Sequence, residues 1–378
     1  MKARLQFHFK KMISDPVLVI AWILAILSAF IIHPDSEYPG YIDFRSLGIL
    51  WGLMVVIQGL RENSVFEKIG ENLLNRVKNG WQLSLVLILI CFFTSMLITN
   101  DVALITFVPF AIMTLYKCSR KDLMIPVIVL QTIAANLGSM LTPIGNPQNL
   151  YLYGVTGISL GDFILTMLPY SAATLLLLIF STAFLPKKKM PLSVSASDND
   201  QVVKSFGSPL QIAIYVVLFV LAILTVVRIV PFPAMVLTIF VTVLVMDNKI
   251  IFRADYILLI TFVGFFIFTG NMARIPQIKE FLSSIVEGKE FWAGLITSQF
   301  ISNVPATLVL SDFATDYKQL LLGVNVGGLG TLIASMASLI SFKLFSNEYK
   351  ERRMQYIVAF TAVNLLYLIA LIILRLFL

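Results

Sequence analysis

Leu97-Ile98-Thr99-Asn100-Asp101-Val102-Ala103 and Phe300-Ile301-Ser302-Asn303-Val304-Pro305-Ala306 are two versions of one pattern. Each is a small polar cluster closing on an alanine, inside sequence that is otherwise almost wholly apolar. Each is followed by a second polar interruption. The first is Asn136-Leu137-Gly138-Ser139-Met140-Leu141-Thr142-Pro143-Ile144-Gly145-Asn146-Pro147-Gln148-Asn149. The second is Asn325-Val326-Gly327-Gly328-Leu329-Gly330-Thr331-Leu332-Ile333-Ala334-Ser335-Met336-Ala337-Ser338. Polar, glycine-rich backbone at membrane depth is tolerated only where protein or a water-filled cavity surrounds it. The four breaks therefore point to the binding site of a transporter.

The rest of the chain supplies the membrane context. Of 378 residues, 58% are apolar and 13% charged, and the mean hydropathy is +0.89. A soluble protein of this length could not hide that much apolar surface. The reading is an all-α polytopic membrane protein with about 9–11 transmembrane segments of ~20 residues. The net charge of +7 comes from basic residues beside apolar spans, so it reads as a topology signal and not as a nucleic-acid surface. Met1 to Lys11 is basic, but no small-residue cleavage site closes the first span, so no cleaved signal peptide is expected. Cys91 and Cys118 form neither a disulfide framework nor a metal spacing, and His8 and His33 are too scattered for a His-based site. No metal site and no cofactor are expected beyond a coupling ion.

In order, spans are expected over 17–32 and 47–60, then an amphipathic interfacial helix over 61–80 with Val65, Phe66, Ile69, Leu73, Leu74 and Val77 at helical spacing. Trp81 marks re-entry at headgroup level. A hairpin over 82–116, a broken helix over 123–153 and a span over 163–185 complete an N-terminal repeat, 1–189. The stretch 190–209 is hydrophilic, a linker on the cytoplasmic side. The C-terminal repeat, 210–378, has three spans, a charged amphipathic stretch over 274–288, a hairpin over 291–316, a broken helix over 319–345 and a last span. Placing the N-terminus in the cytoplasm and the C-terminus outside puts 21 of 28 Lys and Arg residues on the cytoplasmic side, as the positive-inside rule asks.

Length identifies the second hairpin. Trp292 to Ile301 is ten residues, about 15 Å of helix, against a hydrocarbon core of ~30 Å. The charged run Glu287-Gly288-Lys289-Glu290 cannot be drawn in cheaply to lengthen it. The first hairpin could nearly cross on length alone, and is read as re-entrant because its tip matches the second. Setting Thr142 against Thr331 aligns Asn136 with Asn325, Gly138 with Gly327, Gly145 with Ala334, Asn146 with Ser335 and Asn149 with Ser338. By charge the two hairpins open to opposite sides. That makes the halves inverted repeats, which place substrate and coupling ion at the midplane.

At Thr99-Asn100-Asp101-Val102-Ala103, at Thr142-Pro143-Ile144-Gly145-Asn146-Pro147-Gln148-Asn149 and at Ser302-Asn303-Val304-Pro305-Ala306 the chain resembles the ion transporter superfamily. That group includes arsenite permeases, NhaD-type sodium/proton antiporters, citrate transporters and divalent-anion/sodium symporters. The resemblance runs over nearly the whole chain and is strongest to the arsenite-permease and citrate-transporter branch. It implies two inverted halves and an elevator-like movement of the hairpin region against a scaffold, and homodimers occur in the family. In the dicarboxylate branch both tips are Ser-Asn-Thr motifs that bind substrate carboxylate and sodium. Here Asn100, Asn303 and the first hydroxyls of Thr99 and Ser302 match, whereas Asp101 and Val304 replace the third hydroxyl.

The candidate substrate and ion site is thus Thr99, Asn100, Asp101, Gly138, Ser139, Thr142, Gly145, Asn146 and Asn149 from the first half. From the second come Ser302, Asn303, Gly327, Gly328, Thr331 and Ser335. Sodium would sit at Asn100, Asp101 and Asn303. An ionised Asp101 at the midplane costs ~2.5–3.5 kcal/mol on insertion scales, which argues for a proton or sodium site. The competing role is a hairpin cap that accepts N–H bonds from the following limb. The glycines could serve only close packing, and Pro143 and Pro147 could serve only to stop the helix. The expected function is secondary active transport of a small anion, a di/tricarboxylate or inorganic oxyanion, across the cytoplasmic (inner) membrane, coupled to H⁺ or Na⁺. The rivals are arsenite or antimonite efflux, sodium/proton antiport through Asp101, and, further off, an ion channel. An intramembrane enzyme lacks a His-based metal site and a Gly-x-Ser-x-Gly elbow.

Overall fold

The computed structural model describes residues 15–74, 77, 79–186 and 207–378, and these form helices joined by turns. The basic N-terminal segment and most of the 190–209 linker lie outside the described residues. The first half opens with α1 (Pro16–Ala29), α2 (Phe44–Glu62) and the short α3 (Val65–Leu74). A hairpin follows, α4 (Gly80–Ile98) and α5 (Asn100–Lys117), then one span in two pieces, α6 (Met124–Ser139) and α7 (Pro147–Thr156), and then α8 (Leu160–Ala183). The second half runs α9 (Pro209–Val226), α10 (Phe232–Ile251), α11 (Tyr256–Ala273) and the short α12 (Pro276–Val286). Its hairpin is α13 (Glu290–Ile301) and α14 (Asn303–Ser311), its broken span α15 (Tyr317–Val326) and α16 (Met336–Glu348), and its last helix α17 (Arg353–Arg375). Among the described residues, eight helical stretches are long and apolar enough to cross a membrane, and α1 is a shorter apolar helix. The protein is an all-α polytopic membrane protein.

Local chemistry sets where these helices begin. Asp15, Asp43, Asn79, Asn146, Ser159, Asp255 and Asp316 each accept a first-turn N–H with their side chain, the arrangement that satisfies otherwise orphaned donors. Asp43 carries α2 back to Phe44, so the second span is 19 residues and longer than the 47–60 expected from the apolar run. α3 is the amphipathic helix the spacing called for: Phe66 is buried, while Ile69 and Leu73 are exposed, as suits a helix lying at the interface.

Two packed bodies result. α1, α2, α9, α10 and α11 pack on one another through small residues. Gly264 lies against Ala21, Gly52 against Met235, and Gly59 against the Tyr215 ring. Without a hydrophobic drive between helices in lipid, such close backbone approach is what holds them. Trp22 Nε1 donates to the Ile260 carbonyl at 3.2 Å, and Asn271 donates to Ser28 and Tyr38, both at 2.9 Å. At one end Arg274 bridges Asp35 at 2.7 Å and Glu37 at 3.3 Å, with the Tyr41 hydroxyl at 2.9 Å. The guanidinium bond holds the Asp35 carboxyl below the usual carboxylate range. At the other end Arg253 pairs with Glu62. The second body contains the hairpins and broken spans. Its centre, α6, is buried along nearly its whole length.

Candidate functional site

Thr99 and Ser302 sit at the two hairpin tips in the same unusual backbone conformation, φ 71°, ψ 152° and φ 74°, ψ 153°. That region is nearly reserved for glycine and costs about 1–3 kcal/mol for other residues. It persists because the next residue is held from outside the hairpin. The Asn100 N–H donates to the Gly145 carbonyl at 3.0 Å, and the Asn303 N–H donates to the Ala334 carbonyl at 3.0 Å. Each tip is thereby pinned to the break of its own half.

The equivalence extends further. Thr142 Oγ1 donates to the Met96 carbonyl, three residues before Thr99. Thr331 Oγ1 donates to the Gln299 carbonyl, three residues before Ser302, at 3.1 Å. The turns themselves match, with Gly145 N–H to Thr142 O and Ala334 N–H to Thr331 O, both 3.2 Å. Gly138 leaves no room for a Cβ, which would lie 2.3 Å from the Phe92 carbonyl oxygen, and a Cβ on Gly327 would lie 2.8 Å from Leu295 Cα. The alignment read from Thr142 and Thr331 thus pairs residues that make the same contacts.

Between the halves, six side chains exchange four bonds. Asn146 Nδ2 donates to Asn325 Oδ1 at 3.0 Å, and Ser335 Oγ donates to Asn136 Oδ1 at 2.9 Å. Asn325 Nδ2 donates to Asn149 Oδ1 at 2.7 Å, and Asn136 Nδ2 donates to Ser338 Oγ at 3.3 Å. Asn100 joins this net through Nδ2 to Asn136 Oδ1 at 3.1 Å, and its own Oδ1 accepts the Asp101 N–H at 2.9 Å. Ser139 Oγ accepts from Asn146 Nδ2 at 3.3 Å. Asn303 lies against Gly328, and its Oδ1 accepts from Ser302 Oγ at 3.4 Å. The structure therefore brings Asn100, Ser139, Asn146 and Asn149 together with Ser335, while Thr331 is exposed. Gly138, Gly145 and Gly327 serve close packing: a Cβ on Gly145 would meet the Ser139 carbonyl at 2.0 Å.

Two polar side chains stand apart from the net. Asp101 Oδ1 is buried with no hydrogen-bond partner, so this oxygen caps no N–H of the following limb. Gln148 is 1% exposed, and neither its Oε1 nor its Nε2 has a partner. Leaving such groups unsatisfied costs roughly 1–3 kcal/mol each, a cost that a ligand at the site would relieve. Beside the second tip lies a small cavity of about 100 Å³ whose walls include Val304, Pro305, Met336, Phe262, Asp15 and Asp255. Asp255 is close enough to Asp101 for their charges to interact.

Asn136, Asn325 and Gln299 were not among the expected site residues, and Gln148 was expected only as part of the 138–149 loop. Gln299 Nε2 donates to the Gly327 and Leu329 carbonyls at 2.7 and 2.9 Å, bracing the second break. The signal for Asn136 and Asn325 was their identical place in the two breaks. Gln299 had the weaker signal of an amide in an arm too short to cross.

Helices that break where hairpin tips meet them, inside an all-α bundle with many apolar spans, define a polytopic membrane protein with a polar centre. The chain belongs to the citrate transporter (CitMHS) family, whose model matches residues 7–320. It is similar to the inner membrane protein YbiR of Escherichia coli, with 29% identity over 85% of each chain. It is 31% identical to the uncharacterized transporter MJ0456 of Methanocaldococcus jannaschii, over 87% of this chain and 89% of that one. A 140-residue stretch is 33% identical to the rice silicon efflux transporter LSI3, covering 37% of this chain and 28% of that protein. The protein is a membrane transporter.

Proposed function

We propose that the protein is a secondary active transporter of a small anion, a di/tricarboxylate or inorganic oxyanion, coupled to H⁺ or Na⁺. The observation that carries this is the convergence of two pinned hairpin tips on two broken spans. α5, α7, α14 and α16 all begin at this centre. Helix N-termini carry a positive dipole end and unpaired N–H groups, which suit an anion without any basic side chain. Asn100, Asn146, Asn303 and Ser335 would orient it, and the family's description, citrate transporter, is in keeping with an anionic substrate. Asp101, with a buried unpartnered oxygen, would hold the proton or, with Asn100 and Asn303, the sodium ion.

The halves are read as inverted repeats. α1, α2 and α9–α11 act as scaffold, and the hairpins and broken spans move against them as an elevator in the cytoplasmic membrane, N-terminus inside. A second reading, export of an arsenite- or antimonite-like oxyacid or sodium/proton antiport through Asp101, draws support from the silicon efflux relative and from that same carboxylate.

The test is the current from proteoliposomes on a solid-supported membrane, challenged with citrate, succinate or malate under an inward Na⁺ or H⁺ gradient. Current expected from the wild type should vanish in the Asn100→Ala/Asn303→Ala variant. Silence of the wild type under every gradient overturns carboxylate symport and moves the assignment to oxyacid export or antiport.

A further inference from the structure

Arg375 occupies the last turn of α17, at the end of the bundle that also carries Lys318, Trp292 and Tyr317. Its guanidinium lies over two rings, 4.1 Å from the Phe291 centroid and 5.8 Å from that of Trp292. Nη2 donates to Gln319 Oε1 at 3.0 Å. Nε is buried with no partner. Among the described residues no carboxylate pairs with this cation. The acids of that end are engaged elsewhere: Asp162 with Lys318 at 3.7 Å, and Glu290 with the Thr315 hydroxyl at 3.0 Å and the Asp316 N–H at 3.2 Å.

A pocket of about 460 Å³ opens directly beside Arg375, lined also by Thr166, Pro169, Tyr170, Gln319 and Leu378. That volume lies within the ~300–1,000 Å³ of small-molecule sites. Two exposed leucines flank the polar pocket, Leu165 at 67% and Leu378 at 70% exposed. Partly exposed Trp292 and Tyr317 mark this level as the membrane–water boundary. An arginine stacked on aromatic faces can still offer N–H groups to a phosphate, and here Gln319 holds only Nη2 while Nε has no partner. The Thr166 and Tyr170 hydroxyls and the Gln319 amide line the same pocket and add donors and acceptors.

We propose that this pocket binds the phosphate of an anionic phospholipid, with the acyl chains leaving along Leu165 and Leu378. A lipid fits better than free phosphate because the exposed Leu165 and Leu378 beside the polar pocket give acyl chains an apolar path out of it. The site spans α8, α15 and α17 and touches the second hairpin through Phe291 and Trp292, so the lipid would tie the hairpin's outer end to the last helix. This inference is independent of which substrate the centre carries.

Detergent-purified full-length protein would be titrated with dioleoylphosphatidylglycerol and with dioleoylphosphatidylcholine, and bound lipid counted by native mass spectrometry. One phosphatidylglycerol should be retained preferentially. Arg375→Gln should weaken it about tenfold, in line with loss of a charged hydrogen bond, whereas Arg375→Lys should keep part of the preference. Thr166→Trp fills the pocket without touching the cation and should give the same loss, which keeps the test alive if Arg375→Gln does not fold. Equal retention of the two lipids, or equal binding by wild type and both blocking variants, overturns the proposal. Displacement of the lipid by millimolar inorganic phosphate, with the same dependence on Arg375, would assign the pocket to free phosphate instead and also overturn it.

Discussion

Asn136 and Asn325 hold opposite halves of the protein by the same two bonds. Each amide oxygen accepts from the cap residue of the other half's broken span, Ser335 at 2.9 Å and Asn146 at 3.0 Å. Each amide nitrogen donates to the residue three further on, Ser338 at 3.3 Å and Asn149 at 2.7 Å. The pair therefore fixes the separation of the two breaks, and with it the geometry of whatever binds between them.

Removing one amide should leave buried partners unpaired. Asn325→Ala orphans Asn149 Oδ1, at a cost of roughly 1–3 kcal/mol, and leaves Asn146 Nδ2 with only its 3.3 Å bond to Ser139 Oγ. A clear fall in the Tm of the detergent-purified protein is expected. Because Asn146 and Asn325 share a bond, Asn146→Ala/Asn325→Ala should fall by less than the sum of the single losses. Additive losses would mean that the bond does not couple the halves.

Packing at the breaks gives a second expectation. Gly138→Ala puts a methyl 2.3 Å from the Phe92 carbonyl oxygen, which is backbone and cannot swing aside. Overpacking of this kind costs about 1–3 kcal/mol, so a lower Tm and less folded protein should follow. Gly40→Ala, with nothing within 4 Å of the new methyl, is the matched control and should be near neutral. A neutral Gly138→Ala would show that α4 and α6 are not so closely packed.

These relationships also show what the sequence could and could not convey. The breaks, the tips and their alignment were legible because polar residues in an apolar run have few possible explanations. The Asn100 and Asn303 backbone bonds follow from that alignment only once the fold is known, since Gly145 and Ala334 offer a carbonyl that any residue has. Gln299 and Gln148 were hidden for a different reason. Gln148 lies within the polar run Asn146-Pro147-Gln148-Asn149 and Gln299 follows Thr297-Ser298, so polarity alone did not single them out, and only packing decides that one braces a loop while the other is left without a partner. The two-body packing was equally invisible, because Gly52, Gly59 and Gly264 announce close approach without naming the partner helix.

The clasp at Arg274 should be sensitive to acid. Its hydrogen bond holds the Asp35 carboxyl below the usual value, so the folded state binds this proton less readily than the unfolded chain. The contribution to stability is present above the unfolded value of ~3.9 and is lost as pH falls through the lower folded value. The Tm difference between wild type and Asp35→Asn should be constant from neutral pH down to about pH 5, then shrink toward zero in stronger acid. A difference that grows on acidification would reverse the assigned direction.

Asp101 separates coupling from folding. Its Oδ1 is buried and accepts no hydrogen bond, and Asp255 adds a second carboxylate to its field, so the charge does nothing evident for the fold. Asp101→Asn keeps the shape and removes the charge, and its Tm should equal or exceed that of the wild type. On the proposal that Asp101 holds the coupling ion, gradient-driven uptake into proteoliposomes should be lost. Exchange of labelled against unlabelled substrate, which needs no net ion movement, should survive. If gradient-driven uptake persists with unchanged ion stoichiometry in Asp101→Asn, the coupling site lies elsewhere. If exchange and uptake fail together in a variant that is stably folded, Asp101 acts on the substrate itself.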